Sequence, residues 1–254
     1  MKNSLVSIVM PCYNAQNYIL EAIASVQQQT HNEWELIVVD DCSIDNTLSI
    51  VTSIANHDHR VHFLKLPVNS GTGVARNTGL QYASGKYIAF LDADDLWKPH
   101  KLATQIAFMK KHKLSFTYSF YDCIDEAGKS LHKTITAPLT LRYKQLFFCN
   151  FIGNLTGIYD QSILGKIPVD AVRKRQDWIH WLFILQKIKT AYVVPKSLAY
   201  YRVRNNSISA SKLELLKYNF AVYTQFYGYN FIKASVCMVG FLVVQLLVKP
   251  HFKK

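Results

Sequence analysis

The stretch KYIAFLDADDLWKP, residues 86–99, sets an apolar run of strand length, Tyr87 to Leu91, directly against three carboxylates, Asp92, Asp94 and Asp95. A run of that length with so little polar interruption suits a strand covered on both faces. Carboxylates this close repel one another unless a cation or a proton relieves them, so the cluster calls for a partner.

Upstream, apolar runs of the same kind occur at 5–10 (LVSIVM), 35–39 (ELIVV) and 61–66 (VHFLKL), and helix-like segments at 18–29, 46–56 and 73–83 lie between them. Strand and helix alternating at this spacing predict right-handed βαβ units, hence an α/β fold with a mostly parallel sheet flanked by helices. Ligands of such sheets bind beyond the carboxyl ends of the strands. There the chain places PCYNAQNY, DDCSIDNT, PVNSGTGVARNTG and DADD. Taken singly, Ser43 or Asp45 reads as a helix cap and NSGTG as a turn. Four polar clusters on one sheet edge read as a site.

Beyond residue 98 the spacing predicts a helix over 99–112, a strand over 115–121, a turn at 125–129 and a short helix over 142–149. A helix over 176–188 follows, then extended segments near 191–194 and 198–203, then helices over 211–226 and 230–248. The expected organisation is one domain over 1–210, with a nucleotide-binding half (1–98) and an acceptor-side half (99–210), and a helical extension over 211–254.

Half of the 254 residues are hydrophobic, enough for a sizeable core, and the net charge is +12. Residues 1–95 carry a net −5 and residues 96–254 a net +17. A basic half suits an anionic ligand or an anionic membrane surface. Zinc-finger spacing, an aromatic RNA-binding consensus and a helix-turn-helix pattern are missing, so no nucleic-acid partner is expected. Five cysteines without a CxxC pair argue against a disulfide framework and a structural zinc site. The first apolar run, stopped by Pro11, is too short for a signal peptide, and a cytoplasmic protein is expected.

Oxygen-only ligands at a strand end suit Mg²⁺ or Mn²⁺, which take one or two carboxylates and leave the other positions to water and phosphate. NSGTG lacks the Gly-Lys-Ser/Thr of a Walker loop and the GxGxxG spacing of a dinucleotide site, which makes kinase and dehydrogenase readings poor.

In order along residues 5–185, SIVMPCYNAQNYILEAIASVQQQT, ELIVVDDCSIDNT, NSGTGVARNTGLQYASGKYIAFLDADD and RQDWIHWL resemble the successive motifs of family 2 glycosyltransferases. That resemblance implies the GT-A fold and inverting transfer of a sugar from a nucleotide diphosphate, with Mn²⁺ or Mg²⁺ as cofactor. It implies that Pro11, Tyr13 and Asn14 line the nucleotide pocket, that Asp40 or Asp41 meets the base, and that Arg76 and Asn77 lie beside the donor pyrophosphate and sugar. Asp92 and Asp94 match the DxD motif, Asp94 as the direct metal ligand and Asp92 nearer the ribose or sugar. Asp95 is either a further contact or a helix cap.

Inversion needs a base for the acceptor hydroxyl, and Asp177 matches it. The family usually has Glu-Asp here, where this chain has Gln176-Asp177. A carboxylate in the first turn of a helix also suits the helix dipole alone. Trp178 and Trp181 share a helix face, either packing on the sheet or stacking on sugar, and Trp97 is a candidate acceptor contact. Arg202 and Arg204, in YYRVRNNSISAS at 200–211, are candidates to cover the diphosphate.

From Tyr218 to Val248 the only charged residue is Lys233, and ASVCMVGFLVVQLLV, 15 uncharged residues, ends at Lys249-Pro250. About 20 residues are needed to cross a bilayer. The expectation is an interfacial helix with basic flanks, peripheral on the inner face of the cytoplasmic membrane, or a helix packed on the domain. The expected activity is transfer of a hexosyl unit, most simply from a UDP-hexose, to a glycan acceptor, lipid-linked, in bacterial lipopolysaccharide, O-antigen or capsule synthesis. Two other readings are a nucleotidylyltransferase, whose glycine-rich loop is missing from PCYNAQN, and a non-catalytic basic membrane-binding module.

Overall fold

The computed structural model describes residues 4–170, 174–204 and 212–253. The first third alternates as the sequence leads one to expect: β1 (Val6–Cys12), α1 (Ile19–Gln27), β2 (Trp34–Asp40), α2 (Thr47–His57), β3 (Val61–Lys65), α3 (Thr72–Tyr82) and β4 (Tyr87–Phe90). β5 (Leu96–Trp97), α4 (Lys101–His112), β6 (Phe116–Ile124), β7 (Ser130–Ile135), β8 (Thr140–Arg142) and α5 (Tyr143–Phe148) follow. After a 3₁₀ turn at Asn154–Thr156 come β9 (Ile158–Asp160), α6 (Gln161–Leu164), α7 (Gln176–Ile188), β10 (Thr190–Arg202), α8 (Lys212–Ala221) and α9 (Phe231–Val243).

The sheet runs β3-β2-β1-β4-β9-β6-β10-β5, with β7 added on β6 and β8 on β10. β3, β2, β1 and β4 are mutually parallel, which puts their carboxyl ends on one edge. The rest is mixed, because β9 enters antiparallel between β4 and β6. The two extended segments near 191–194 and 198–203 are one strand, β10, broken by register shifts on either side of Ser197. Pro11 is paired with Val39 of β2 beyond the point where β4 has ended, where the missing N–H of a proline is tolerated.

Strand alternation divides the core. Val9, Ile37, Val39 and Phe90 face one side with Ala75 and Leu80 of α3 and the buried face of α7. Ile8, Met10, Leu36 and Val38 face the other, under Ile19 and Ile23 of α1 and Leu102 and Ile106 of α4. This is the period-2 geometry of a strand feeding two helical layers.

The C-terminal helix is longer than the uncharged run suggests. Phe231–Phe252 form a continuous helical span of 22 residues, by length and composition enough to cross a membrane. One stripe is packed on the domain. Ala234 and Phe241 are buried, the Phe241 ring lies 5.7 Å from that of Trp178, and the Thr136 N–H donates to the Phe252 carbonyl at 2.8 Å. The opposite stripe, Phe231, Ile232, Val236, Val239, Leu246 and Leu247, is more than 60% exposed at every position.

Candidate active site

Two acidic groups sit at the carboxyl edge. Asp40 ends β2, fully buried, and accepts from the backbone N–H and the hydroxyl of Ser43. Asp41 accepts from the Ser70 N–H (2.7 Å) and the Gly71 N–H (2.8 Å), holding the loop that opens α3. Gly71 sits there at φ +88, a conformation a side chain would strain. Asn14, at φ 47, donates its backbone N–H to Ser43 Oγ and accepts from the Ile44 N–H at its side chain. Backbone amides thus stitch the three loops together. Pro11 is buried beneath them, and Tyr13, half exposed, stands at the rim.

The second group is DADD. Arg76 Nη2 donates to Asp92 Oδ1 at 2.6 Å, and Asn154 Nδ2 lies 3.2 Å from both Asp92 oxygens. Arg76 Nη1 also donates to Gln176 Oε1 at 3.2 Å, so this one guanidinium ties α3, the end of β4 and the start of α7. Arg204 Nε lies 3.1 Å from Asp94 Oδ2. The arginines arrive because β5 pairs antiparallel with β10, Ala199 opposite Trp97, and turns the end of β10 back over the acidic loop.

Burial raises the Asp94 carboxyl above its usual range, with the Asp92 charge adding and Arg204 opposing. Asp95 is buried and raised well above that range by burial, then by Asp94; its Oδ1 accepts from the Arg202 N–H at 2.9 Å. An added cation at this edge would therefore relieve a standing repulsion.

Asp177 lies in the first turn of α7, after Arg175 in the left-handed region at φ 70. Asn150 Nδ2 donates to Asp177 Oδ2 at 2.8 Å. Burial raises the Tyr121 phenol of β6, and the charges of Asp95 and Asp177 are among the neighbours that add to it, so the ring is within electrostatic reach of both. Through Gln176, Arg76 and Asp92 the acidic loop and the start of α7 are linked by hydrogen bonds.

Several expected contacts have other tasks. Trp97 is buried, its indole N–H donating to the Leu155 carbonyl at 2.8 Å, and Trp178 is buried with its N–H on the Leu146 carbonyl at 2.7 Å. Both are core residues and not acceptor contacts, because each ring has a backbone partner and is covered on its faces. Arg202 is a buried strut. Its Nε donates to the Asp94 carbonyl, Nη1 to the Glu126 carbonyl and Nη2 to Glu21 Oε2 at 2.6 Å, so that of these two arginines Arg204 is the one whose guanidinium meets a DADD carboxylate.

Asn77 is held at both ends by the main chain of Val169, to which it donates at 2.9 Å and from which it accepts at 2.7 Å. Asp95 caps no helix; α4 begins at Lys101. Residues 205–211 of YYRVRNNSISAS lie outside the described residues. Asn154, Asn150 and the bridging role of Gln176 were missed. A lone Asn carries no signal of its own, and Asn154 showed only a glycosylation-like Asn-Leu-Thr.

The acidic edge fits a divalent cation. Asp92 and Asp94 offer hard oxygens at a partly open strand end, and Asp94 is raised by burial and then by the Asp92 charge. Among the described residues no group of three His, Cys, Asp or Glu encloses a metal. A cation held here would therefore have to complete its shell with phosphate oxygens and water.

The glycosyl transferase family 2 model matches residues 7–168. Among curated proteins, the chain is 41% identical over 237 residues to the putative teichuronic acid biosynthesis glycosyltransferase TuaG of Bacillus subtilis, covering 93% of this chain and 94% of that one. It is 39% identical over 222 residues to the UDP-Glc:α-D-GlcNAc-diphosphoundecaprenol β-1,3-glucosyltransferase WfgD of Escherichia coli, covering 85% and 84%. Among solved structures, S. aureus TarS 1–349 in complex with UDP-GlcNAc superposes with a TM-score of 0.72 at 21% identity, over 95% of this chain and 73% of that one. The GT-A architecture is shared, and the chain belongs to glycosyltransferase family 2.

Proposed function

We propose that the protein is an inverting hexosyltransferase that moves a hexosyl unit from a UDP-sugar to a lipid-linked glycan in the synthesis of a bacterial surface polysaccharide. The observation that carries this reading is the linked chain Asp92, Arg76, Gln176, which brings the DxD motif and the start of α7, with Asp177, to one edge of one sheet. The name of the relative WfgD, which pairs UDP-Glc with a GlcNAc-diphosphoundecaprenol acceptor, supports this donor and acceptor class.

In this mechanism Asp92 and Asp94 would hold Mn²⁺ or Mg²⁺, which when bound neutralises charge on the departing diphosphate. Arg204, already at Asp94, adds a second positive charge there. Tyr13 at the rim and the Asp40/Asp41 pair frame the nucleotide. Asp177 takes the proton of the acceptor hydroxyl as that oxygen bonds to the anomeric carbon. The bond from this carbon to the diphosphate oxygen breaks on the opposite face, and its electron pair leaves with the nucleotide. An α-linked donor thus yields a β-linked product.

The exposed apolar stripe of the tail supports attachment to a membrane. The tail helix is tied to the domain by Phe241, Gln245, Lys249 and Phe252, so the helix lies along the domain and presents one face to lipid. Its surroundings in a basic half favour an anionic leaflet. Attachment of this kind on the cytoplasmic side would set the enzyme beside a lipid-linked acceptor.

A nucleotide-release screen across UDP-, GDP- and dTDP-sugars, with and without Mn²⁺ and with a GlcNAc-diphospho-lipid acceptor, tests donor and metal together. UDP release that needs both the acceptor and Mn²⁺ is the expected result; metal-independent release would overturn the metal reading. Asp177→Asn should lower transfer by about 10³-fold and leave UDP binding unchanged. For the membrane reading, Val236→Asp with Val239→Asp should lower flotation with anionic vesicles about tenfold, and unchanged flotation would refute it.

A further inference from the structure

The C-terminal helix reaches the catalytic edge. Lys249, six residues past the end of α9, turns its amine inward and donates from Nζ to the Asn150 carbonyl at 2.9 Å. Asn150 is held at two further points: its Oδ1 accepts from the Ile152 N–H at 3.0 Å, and its Nδ2 donates to Asp177 Oδ2 at 2.8 Å. The tail and the carboxylate are thus two ends of one hydrogen-bonded path through a single asparagine.

Other groups facing Asp177 are Arg175 from the start of α7 and Tyr121 from β6, with Cys149 beside Lys249 and Arg175. Burial lowers the Lys249 amine and the Asp177 charge supports its protonated form, so the ammonium belongs to the same electrostatic group as the carboxylate. Two further contacts dock this part of the tail: Cys149 Sγ donates to Gln245 Oε1 at 3.4 Å, and the Phe151 and Phe252 rings meet at 5.5 Å.

We propose that Asn150 and Lys249 are positioning residues for Asp177, so that docking of the C-terminal helix completes the catalytic centre. Lys249 fixes the main chain of Asn150, Asn150 holds Asp177 through Oδ2, and Oδ1 is the oxygen that receives the acceptor proton. The proposal rests on Asp177 being the base. Its consequence is that the segment which meets the membrane also sets the orientation of the base.

The test uses the full chain as wild type, Lys249→Met, Lys249→Arg, Asn150→Ala and Asp177→Asn. The readouts are transfer from UDP-glucose to a GlcNAc-diphospho-lipid, or from the nucleotide sugar that the release screen selects, and the ¹⁵N side-chain amide signal of Asn150. Lys249→Met and Asn150→Ala should lower kcat about tenfold with the donor KM within twofold, and Lys249→Arg should recover at least half of the loss. The Asn150 amide signal should move in both Asp177→Asn and Lys249→Met. Should Lys249→Met fail to fold, Asn150→Ala reads the same path with the tail lysine in place. Wild-type kcat in Asn150→Ala, or an unmoved Asn150 signal in Lys249→Met, would overturn the proposal. Wild-type turnover in Asp177→Asn would instead remove the base assignment itself, and the Asn150 signal would still report the contact.

Discussion

The acidic pair after β2 and the acidic cluster after β4 lie on the same sheet edge, yet they are held in opposite ways. Asp40 and Asp41 are satisfied by backbone amides and a hydroxyl from residues 43, 70 and 71. Asp92 and Asp94 pair with the guanidinium groups of Arg76 and Arg204, and Asp95 accepts the backbone N–H of Arg202; two of these partners come from more than 100 residues away. Local amides make the first pair a scaffold. The second holds two carboxyls raised by burial, with the neighbouring carboxylate charges adding to it, which is the environment that a bound cation would relieve.

The largest expected break in this contrast is in activity. Asp94→Ala should lower transfer about 10³-fold or more, since a metal on a leaving diphosphate contributes several kcal/mol to the transition state; steady-state release of UDP measures it. In stability the order reverses. Asp41→Ala strands the Ser70 and Gly71 amides and should cost about 2 kcal/mol, whereas Asp94→Asn removes a repelled charge and should leave the melting temperature unchanged or raised. Thermal melts of the two variants check the pair.

A smaller effect separates both clusters from a titratable group buried among aromatic rings. His180 is buried against Phe90, Tyr159 and Trp181, and burial, then the Arg76 charge, lowers its imidazole to about 3. Because the folded state holds the neutral ring, its contribution is complete above the unfolded value of about 6.5 and is lost as pH falls toward 3. His180→Leu should therefore flatten the fall in stability between pH 6.5 and 4, measured by denaturant melts.

The four parallel strands were legible because each is a mainly apolar run bounded by polar turns, with β3 (VHFLK) the most interrupted, and the residues at their ends followed from topology. What lay beyond depended on contacts that the pattern does not encode. β9 is three residues long and its place between β4 and β6 is set by pairing alone. β7, SLHKTI, is mostly exposed and carries no core period. Trp97 and Trp178 read as possible sugar platforms until their indole N–H groups found backbone carbonyls. Arg202 and Arg204 are two positions apart with opposite roles, decided by β10 ending at Arg202. The tail was read as too short to span because only its uncharged core was counted, whereas the helix continues from Phe231 to Phe252.

The most direct test of the division of labour is calorimetric titration of UDP into wild type, Asp94→Ala and Asp177→Asn, each with and without Mn²⁺. The account expects Mn²⁺ to strengthen UDP binding in wild type and in Asp177→Asn alike, and to have no effect in Asp94→Ala. Equal Mn²⁺ enhancement in Asp94→Ala would contradict it.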